Sequence, residues 1–226
     1  MVNILLSSKT ALLNPRNMII LKEYLKPNQK VMILGYSFFN KSINNLDTWN
    51  KFYEETNLLE NLIANISQYG IKEQDITLIN YFTSKKNEVL KKLSEVDILF
   101  LPGGSPDEMM QRIIEHKLLE HLKTFDKVII GTSAGAMIQS DIFHISKDYD
   151  YKKYQTHQGL GYISFGIEVH FRKKRQQKKA LRKAKYLHDI LYVIPEESMI
   201  IQDSKSNTIR CYNNAKQYYI KQKIAK

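Results

Sequence analysis

The 226-residue sequence predicts an α/β fold: a mainly parallel central sheet with helices on both faces and a short antiparallel extension toward the C-terminus. Three observations predict it. Short runs of Val, Ile, Leu and Phe alternate with longer stretches in which apolar residues recur at three and four positions. Gly, Pro or polar residues bound each short run. After Ser140 the pattern changes to short strand-like runs separated by tight turns.

Taken in order, MVNILLSSK reads as a first strand, because its apolar run is too short and lacks the preceding basic region of an export signal. KVMILGY (30–36), DITLINYF (75–82), DILFLPGG (97–104) and KVIIGTS (127–133) read as buried strands. Between them, residues 46–70, 84–95 and 105–125 carry helical periodicity, giving βαβ units. In the second half, Tyr162–His170, Leu191–Ile194, Met199–Gln202, Thr208–Tyr212 and Gln217–Ile220 read as strands, the last three forming the antiparallel extension. We read residues 1–226 as a single domain, since this length fits one sizeable core.

Hydrophobic residues make up 43% and charged residues 25%, which argues against disorder. No apolar run approaches a membrane span, so no membrane association is expected and a cytoplasmic location is the default. The lone Cys211 has no disulfide partner and no CxxC neighbour, in line with a reducing compartment and no metal site. The net charge of +11 is concentrated. FRKKRQQKKALRKAKY (171–186) holds nine Lys or Arg and no acid, leaving +2 for the remainder.

Two Gly-rich turns follow strands that would end on the same sheet edge, where open α/β folds bind ligands. Gly131-Thr132-Ser133-Ala134-Gly135 is a G-x-S-x-G pattern between a strand and a helical segment, the setting of a nucleophile elbow, with the Ala134 amide beside the serine. Pro102-Gly103-Gly104 precedes Ser105, Pro106 and Glu108, which read as N-cap, first helical residue and capping-box partner; the Gly pair would aim an amide into the crevice. No phosphate-binding glycine motif is present.

A serine nucleophile needs a base and a carboxylate to orient it. His116 and His121 fall on a helical pattern, His188 follows the basic segment, and His144 and His157 lie in the polar stretch after the elbow. His170 ends the strand-like GLGYISFGIEVHF and is preferred on that pattern, with His157 or His144 as alternatives. Glu196 and Glu197 sit in one turn, and spacing does not rank them.

PGG at 102–104, GTSAGA at 131–136, GLG at 159–161 with VHF at 169–171, and IPEESMI at 194–200 together resemble the aspartyl dipeptidase (dipeptidase E) and cyanophycinase family of serine peptidases. The resemblance spans about residues 76 to 202. It implies a flavodoxin-type sheet of the class I glutamine amidotransferase-like kind. Ser133 would be the nucleophile, His170 the general base and Glu196 its orienting carboxylate, with oxyanion-hole amides from Gly104 and Ala134. It also implies a small, acidic, Asp-containing peptide substrate, an acyl-enzyme, and no metal or organic cofactor. Family members often carry Asn or Asp where this chain has Ser105, a change that would alter a substrate contact.

Ala180, Ala184, Leu187 and Leu191 recur at four, three and four, so part of the basic segment reads as an amphipathic helix with a solvated cationic face. On the functional reading, Arg172 to Arg175 sit at the crevice mouth and attract an acidic substrate, Arg172 and Arg175 being suited to a carboxylate. The rival class is a nucleic-acid-binding or regulatory protein on an inactive hydrolase scaffold. The segment lacks interleaved aromatics and a recognised nucleic-acid motif, so nucleic acid is not the expected partner, and a homodimer is allowed.

Overall fold

The computed structural model describes residues 1–219. The chain begins with β1 (Val2–Leu6) and α1 (Pro15–Leu21), then β2 (Val31–Gly35), α2 (Leu46–Thr56), α3 (Leu58–Ser67) and β3 (Ile76–Asn80). It continues through α4 (Lys86–Glu95), β4 (Ile98–Leu101), α5 (Pro106–Glu115), α6 (Leu119–Lys123), β5 (Val128–Thr132) and α7 (Ala134–Met137). The second half holds β6 (Ile142–Ile145), β7 (Gln155–Gln158), β8 (Gly166–Val169), α8 (Arg175–Ala184), β9 (Leu191–Ile194), β10 (Met199–Asp203), β11 (Thr208–Tyr212) and β12 (Lys216–Gln217).

Seven strands form the central sheet in the order β11-β10-β1-β5-β4-β2-β3. The five from β1 to β3 in that order are parallel, and β10 and β11 add antiparallel at the β1 edge. Because strand side chains alternate, the apolar runs supply two cores. Ile4, Leu6, Ile33, Phe100 and Ile130 face one way, against Leu21 of α1 and Ile66 of α3. Leu5, Met32, Leu34, Leu99 and Ile129 face the other, against Val89 of α4 and Met109 and Ile113 of α5. Burying each such side chain is worth about 1.5–3 kcal/mol, so the two-sided pattern fixes strand register.

The expected antiparallel extension divides. Met199–Asp203 and Thr208–Tyr212 join the main sheet, whereas β12 pairs antiparallel with β9, which lies parallel to β8 in a separate three-stranded sheet. Ile220, the end of the last expected strand, lies outside the described residues. Residues 46–70 and 105–125 each form two helices rather than one. Asn57 (φ 45°) and Lys117 (φ 53°) adopt left-handed backbone that no α-helix continues through, although apolar periodicity carries across both breaks. The basic helix ends at Ala184, with Ala180, Leu181 and Ala184 buried; Leu191 instead belongs to β9.

Candidate active site

The C-terminal ends of β1, β4 and β5 converge on one edge of the sheet, and each contributes to the same crevice. After β5 the chain reverses at Ser133, whose backbone sits at φ 49°, ψ −109°, an uncommon conformation for a residue with a side chain. The two glycines around it permit close approach. A Cβ on Gly135 would lie 1.9 Å from the carbonyl oxygen of Leu101 in β4, and one on Gly131 would lie 2.2 Å from that of Gly135. The G-x-S-x-G spacing therefore lets α7 start tight against β4 and β5.

His170 and Glu196 reach this edge from the second sheet. In the parallel β8–β9 pair Val169 stands opposite Ile194, so the residues that follow them leave the sheet side by side. Ser133 Oγ lies 2.7 Å from His170 Nε2, and His170 Nδ1 lies 2.8 Å from Glu196 Oε1. Burial works to raise the Glu196 carboxyl, but its hydrogen bond and charge interaction with His170, together with Arg172 and Ser8, outweigh burial and hold it below the usual carboxylate value. Glu197 turns away: its carboxylate accepts from Asn14 Nδ2 at 3.0 Å, and its carbonyl accepts from Asn17 and Asn213.

Ser7, which follows β1, was not singled out from the sequence. Its hydroxyl donates to the Ile194 carbonyl and accepts from the His170 amide, both at 2.9 Å, so one buried serine ties the two sheets together at the site. Gln177 Nε2 adds a 3.0 Å bond to the His170 carbonyl. Position was the available signal for Ser7, since residues just past the first parallel strand must reach the same edge as the elbow.

Gly104 lines two cavities together with Ser133, and Ala134 follows Ser133 in the chain; among the described residues neither amide donates a hydrogen bond. Gly104 has φ +147°, and a Cβ there would meet the Ser37 carbonyl oxygen at 2.1 Å, so the turn accepts glycine alone. Ser105 precedes α5 with Pro106 at the first position, as expected, but makes no capping bond. Its buried hydroxyl donates to Asp107 Oδ1 at 2.8 Å and contacts the Tyr151 hydroxyl at 2.9 Å, while Glu108 accepts from the Asn40 amide and Arg112. The expected capping box is thus replaced by longer-range partners.

Two cavities meet at the Ser133–His170 pair. One, about 330 Å³, is bounded by α2, α3 and the sheet, and the other, about 600 Å³, by residues 145–151, Glu168 and the start of the basic segment. Arg172 and Lys174 line the larger cleft, as do Asp148, Asp150 and Glu168. Arg172 also reaches Glu196 Oε1 at 3.2 Å. Neither Ser105 nor Arg175 lines either cavity; Arg175 borders a separate groove with Tyr154 and Lys183. Of the alternative bases, His144 bonds Glu168 at 2.8 Å and His157 bonds Gln155 at 3.0 Å, and neither lines a cavity with Ser133. Among the described residues no cluster of metal-ligating side chains occurs, and no helix is long and apolar enough to cross a membrane.

Comparison with known proteins places these features in a family. The chain is similar over 97% of its length to a Listeria monocytogenes EGD-e protein provisionally assigned as a peptidase E, with a TM-score of 0.61, 16% identity and 98% of that chain covered. A peptidase from an acI-B1 Actinobacterium matches over 96% of this chain and 93% of its own, with a TM-score of 0.59 and 15% identity. At these identities the likeness is one of fold. Shorter matches link the chain to the pyridoxal 5′-phosphate synthase subunit PdxT of Haemophilus ducreyi, 42% identical over 52 residues, and of Actinobacillus pleuropneumoniae serotype 5b, 36% identical over 78 residues. They cover 23% and 34% of this chain, and only 28% and 41% of the length of those relatives. The model of peptidase family S51 matches residues 54–209, more than half of the chain, which therefore belongs to that family of serine-type peptidases.

Proposed function

We propose that Ser133, His170 and Glu196 form the catalytic triad of a peptidase that hydrolyses small peptides, Asp-containing ones among them, within one domain spanning residues 1–226. The observation that carries this reading is the hydrogen-bonded chain from Ser133 Oγ through both His170 nitrogens to Glu196 Oε1, at 2.7 and 2.8 Å.

In this mechanism His170 Nε2 takes the Ser133 proton as Oγ adds to the scissile carbonyl carbon. Negative charge on the carbonyl oxygen is met by the Gly104 and Ala134 amides, which are free to donate toward a bound group. The C–N bond then breaks, His170 passes its proton to the leaving amine, and an acyl-Ser133 ester remains. Water, deprotonated by His170, adds to that ester; the acid product leaves and the proton returns to Ser133. Ionised Glu196 holds the Nδ1–H tautomer and balances the imidazolium throughout.

The expected preference for acidic peptides rests on Arg172 and Lys174 at the larger cleft. Arg175 and Ser105 are less well placed for that role, one outside the cleft and the other engaged with Asp107 and Tyr151. The test is incubation with a panel of Asp-Xaa dipeptides and with a serine-reactive phosphonate. Cleavage together with phosphonate labelling that Ser133→Ala abolishes supports the assignment; labelling that persists in Ser133→Ala refutes it.

A further inference from the structure

The smaller cavity at Ser133 has a chemistry unlike the larger cleft. Its floor is the sheet, through Ile33 of β2, Leu78 of β3 and Phe100 of β4, and its wall is Tyr53 of α2 with Leu58, Leu59 and Leu62 of α3. Ser133, His170, Gly103 and Gly104 close its inner end. Among the described residues no acidic one lines it, and apart from His170 its cationic member is Lys9, an exposed side chain. Burial pushes the Tyr53 phenol up to about 12, so that group is neutral at physiological pH. A volume of about 330 Å³ falls in the range of small-molecule sites, roughly 300–1,000 Å³.

We propose that this cavity is a subsite for an apolar side chain, carried by the peptide residue adjoining the scissile amide. The inference rests on the peptidase reading above and adds to it the class of substrate. Three facts fix the occupant. The cavity opens directly on the nucleophile, so whatever fills it is joined to the reacting carbonyl by only a few bonds. Its walls are mainly aliphatic and aromatic, with Ser8, Asn61, Asn65 and Thr132 as neutral polar members, so an ionised side chain there would exchange water for a surface with few hydrogen-bonding partners and no acidic counter-charge among the described residues. The larger cleft, which also reaches Ser133, is lined by Lys147, Arg172 and Lys174 and by Asp148, Asp150 and Glu168, a lining suited to the charged groups of a short peptide. The substrate is therefore amphiphilic: one apolar residue against α3, and a polar remainder in the larger cleft.

The joint between α2 and α3 belongs to the same device. Asn57, at φ 45°, breaks what would be one long helix and lets α3 start with Leu58 and Leu59 turned to the cavity. Strand-derived floor and helix-derived wall can thus change size separately.

The experiment is a matrix of free dipeptides in which each position in turn carries Gly, Ala, Leu, Phe, Asp or Lys, read as kcat/KM, with phosphonate labelling of Ser133 alongside. At one of the two positions Leu or Phe should exceed Gly and Asp by about tenfold or more, the discrimination expected of a hydrophobic pocket. Leu59→Trp, which narrows the cavity, should erase that advantage. Leu62→Ala, which widens it, should move the optimum from Leu toward Phe, an opposite shift that misfolding does not mimic. Dipeptide hydrolysis and labelling without any apolar preference at either position overturn the subsite and leave the peptidase reading standing. Absence of both hydrolysis and labelling overturns the two together.

Discussion

Ser133 Oγ and His170 Nε2 stand 2.7 Å apart, and both residues hold left-handed backbone, at φ 49° and φ 51°. Each is thus carried by a turn that costs on the order of 1–3 kcal/mol, held in place by the strands on either side. For Ser133 the expected outcome separates activity from stability. Ser133→Ala should lower kcat by at least about four orders of magnitude. Ser133→Gly should be equally inactive yet more resistant to urea than Ser133→Ala by about 1 kcal/mol, because glycine relieves the turn. Equal denaturation midpoints for the two variants would show that the turn stores no strain.

Glu196 and Glu197 are adjacent in sequence and opposite in setting, which allows a clean comparison. Glu196→Gln should lower kcat by about 10²–10⁴, whereas Glu197→Gln, whose carboxylate accepts from Asn14 rather than from His170, should leave it within about twofold. The pH dependence of folding gives a second reading. Because the Glu196 carboxyl titrates below its ordinary value of 4.5, its pairing stabilises the fold above that value and is lost as pH falls through the lower folded-state value. Chemical denaturation in steps from about pH 5 to pH 3 should therefore show a shallower loss of stability in Glu196→Gln than in the parent protein.

Most of the sheet is legible in the sequence because buried parallel strands are continuous apolar runs, and all four such runs between residues 30 and 133 form strands. What escapes is structure made by single residues or by partners far away in sequence. Asn57 and Lys117 end helices through backbone sign alone, which periodicity does not register. The missed helix α1 did carry a signal in Asn14-Pro15: Asn14 accepts from the Arg16 and Asn17 amides and Pro15 is the first helical residue. β7, reading QTHQ, has no apolar alternation and exists by pairing with β6. At the proposed site, Ser133 carries the elbow pattern and His170 ends a strand-like run. That Glu196 rather than Glu197 lies 2.8 Å from His170 depends on the β8–β9 pairing and the turn that follows it, and the bonds of Ser7 on the meeting of two sheets, neither of which has a local sequence mark.

Arg172 has its guanidinium 3.2 Å from the Glu196 oxygen that also faces His170 Nδ1. Its side chain is 61% exposed, so the pair is a weak one, worth at most about 1 kcal/mol. Arg172→Ala should lower kcat by up to about fivefold, with the deficit shrinking as salt is raised, because the parent loses the same interaction by screening. Because Arg172 also lines the larger cleft, KM for acidic dipeptides should rise alongside; a KM unchanged for acidic and neutral dipeptides alike would remove Arg172 from substrate recognition.

Arg112 of α5 is almost fully buried and organises the loop after β2. Nη1 donates to the carbonyls of Tyr36 and Phe38 at 2.7 and 2.8 Å, Nη2 reaches Asn40 Oδ1 and Glu108 Oε2, and the guanidinium lies 3.5 Å from the Phe38 ring centroid. Between those two carbonyls lies Ser37, whose own carbonyl packs against Gly104, so this arginine sets one wall of the proposed oxyanion hole from a distance. Replacing it by Met would leave two buried carbonyls without their donor and the Glu108 carboxylate with the Asn40 amide but no cation, a loss of about 2–4 kcal/mol. At roughly 2–4 °C per kcal/mol for a chain of this size, Arg112→Met should melt about 5–15 °C below the parent. If the loop transmits its position to Gly104, kcat should fall while KM stays nearly constant when both proteins are assayed well below the variant's melting temperature, because misplacing an oxyanion donor weakens transition-state binding alone. Arg112→Lys keeps the charge but cannot span both carbonyls and Asn40, and should lie between the two in melting temperature and in kcat. A melting point within 2 °C of the parent for Arg112→Met would mean that the loop is held by its aromatic contacts instead.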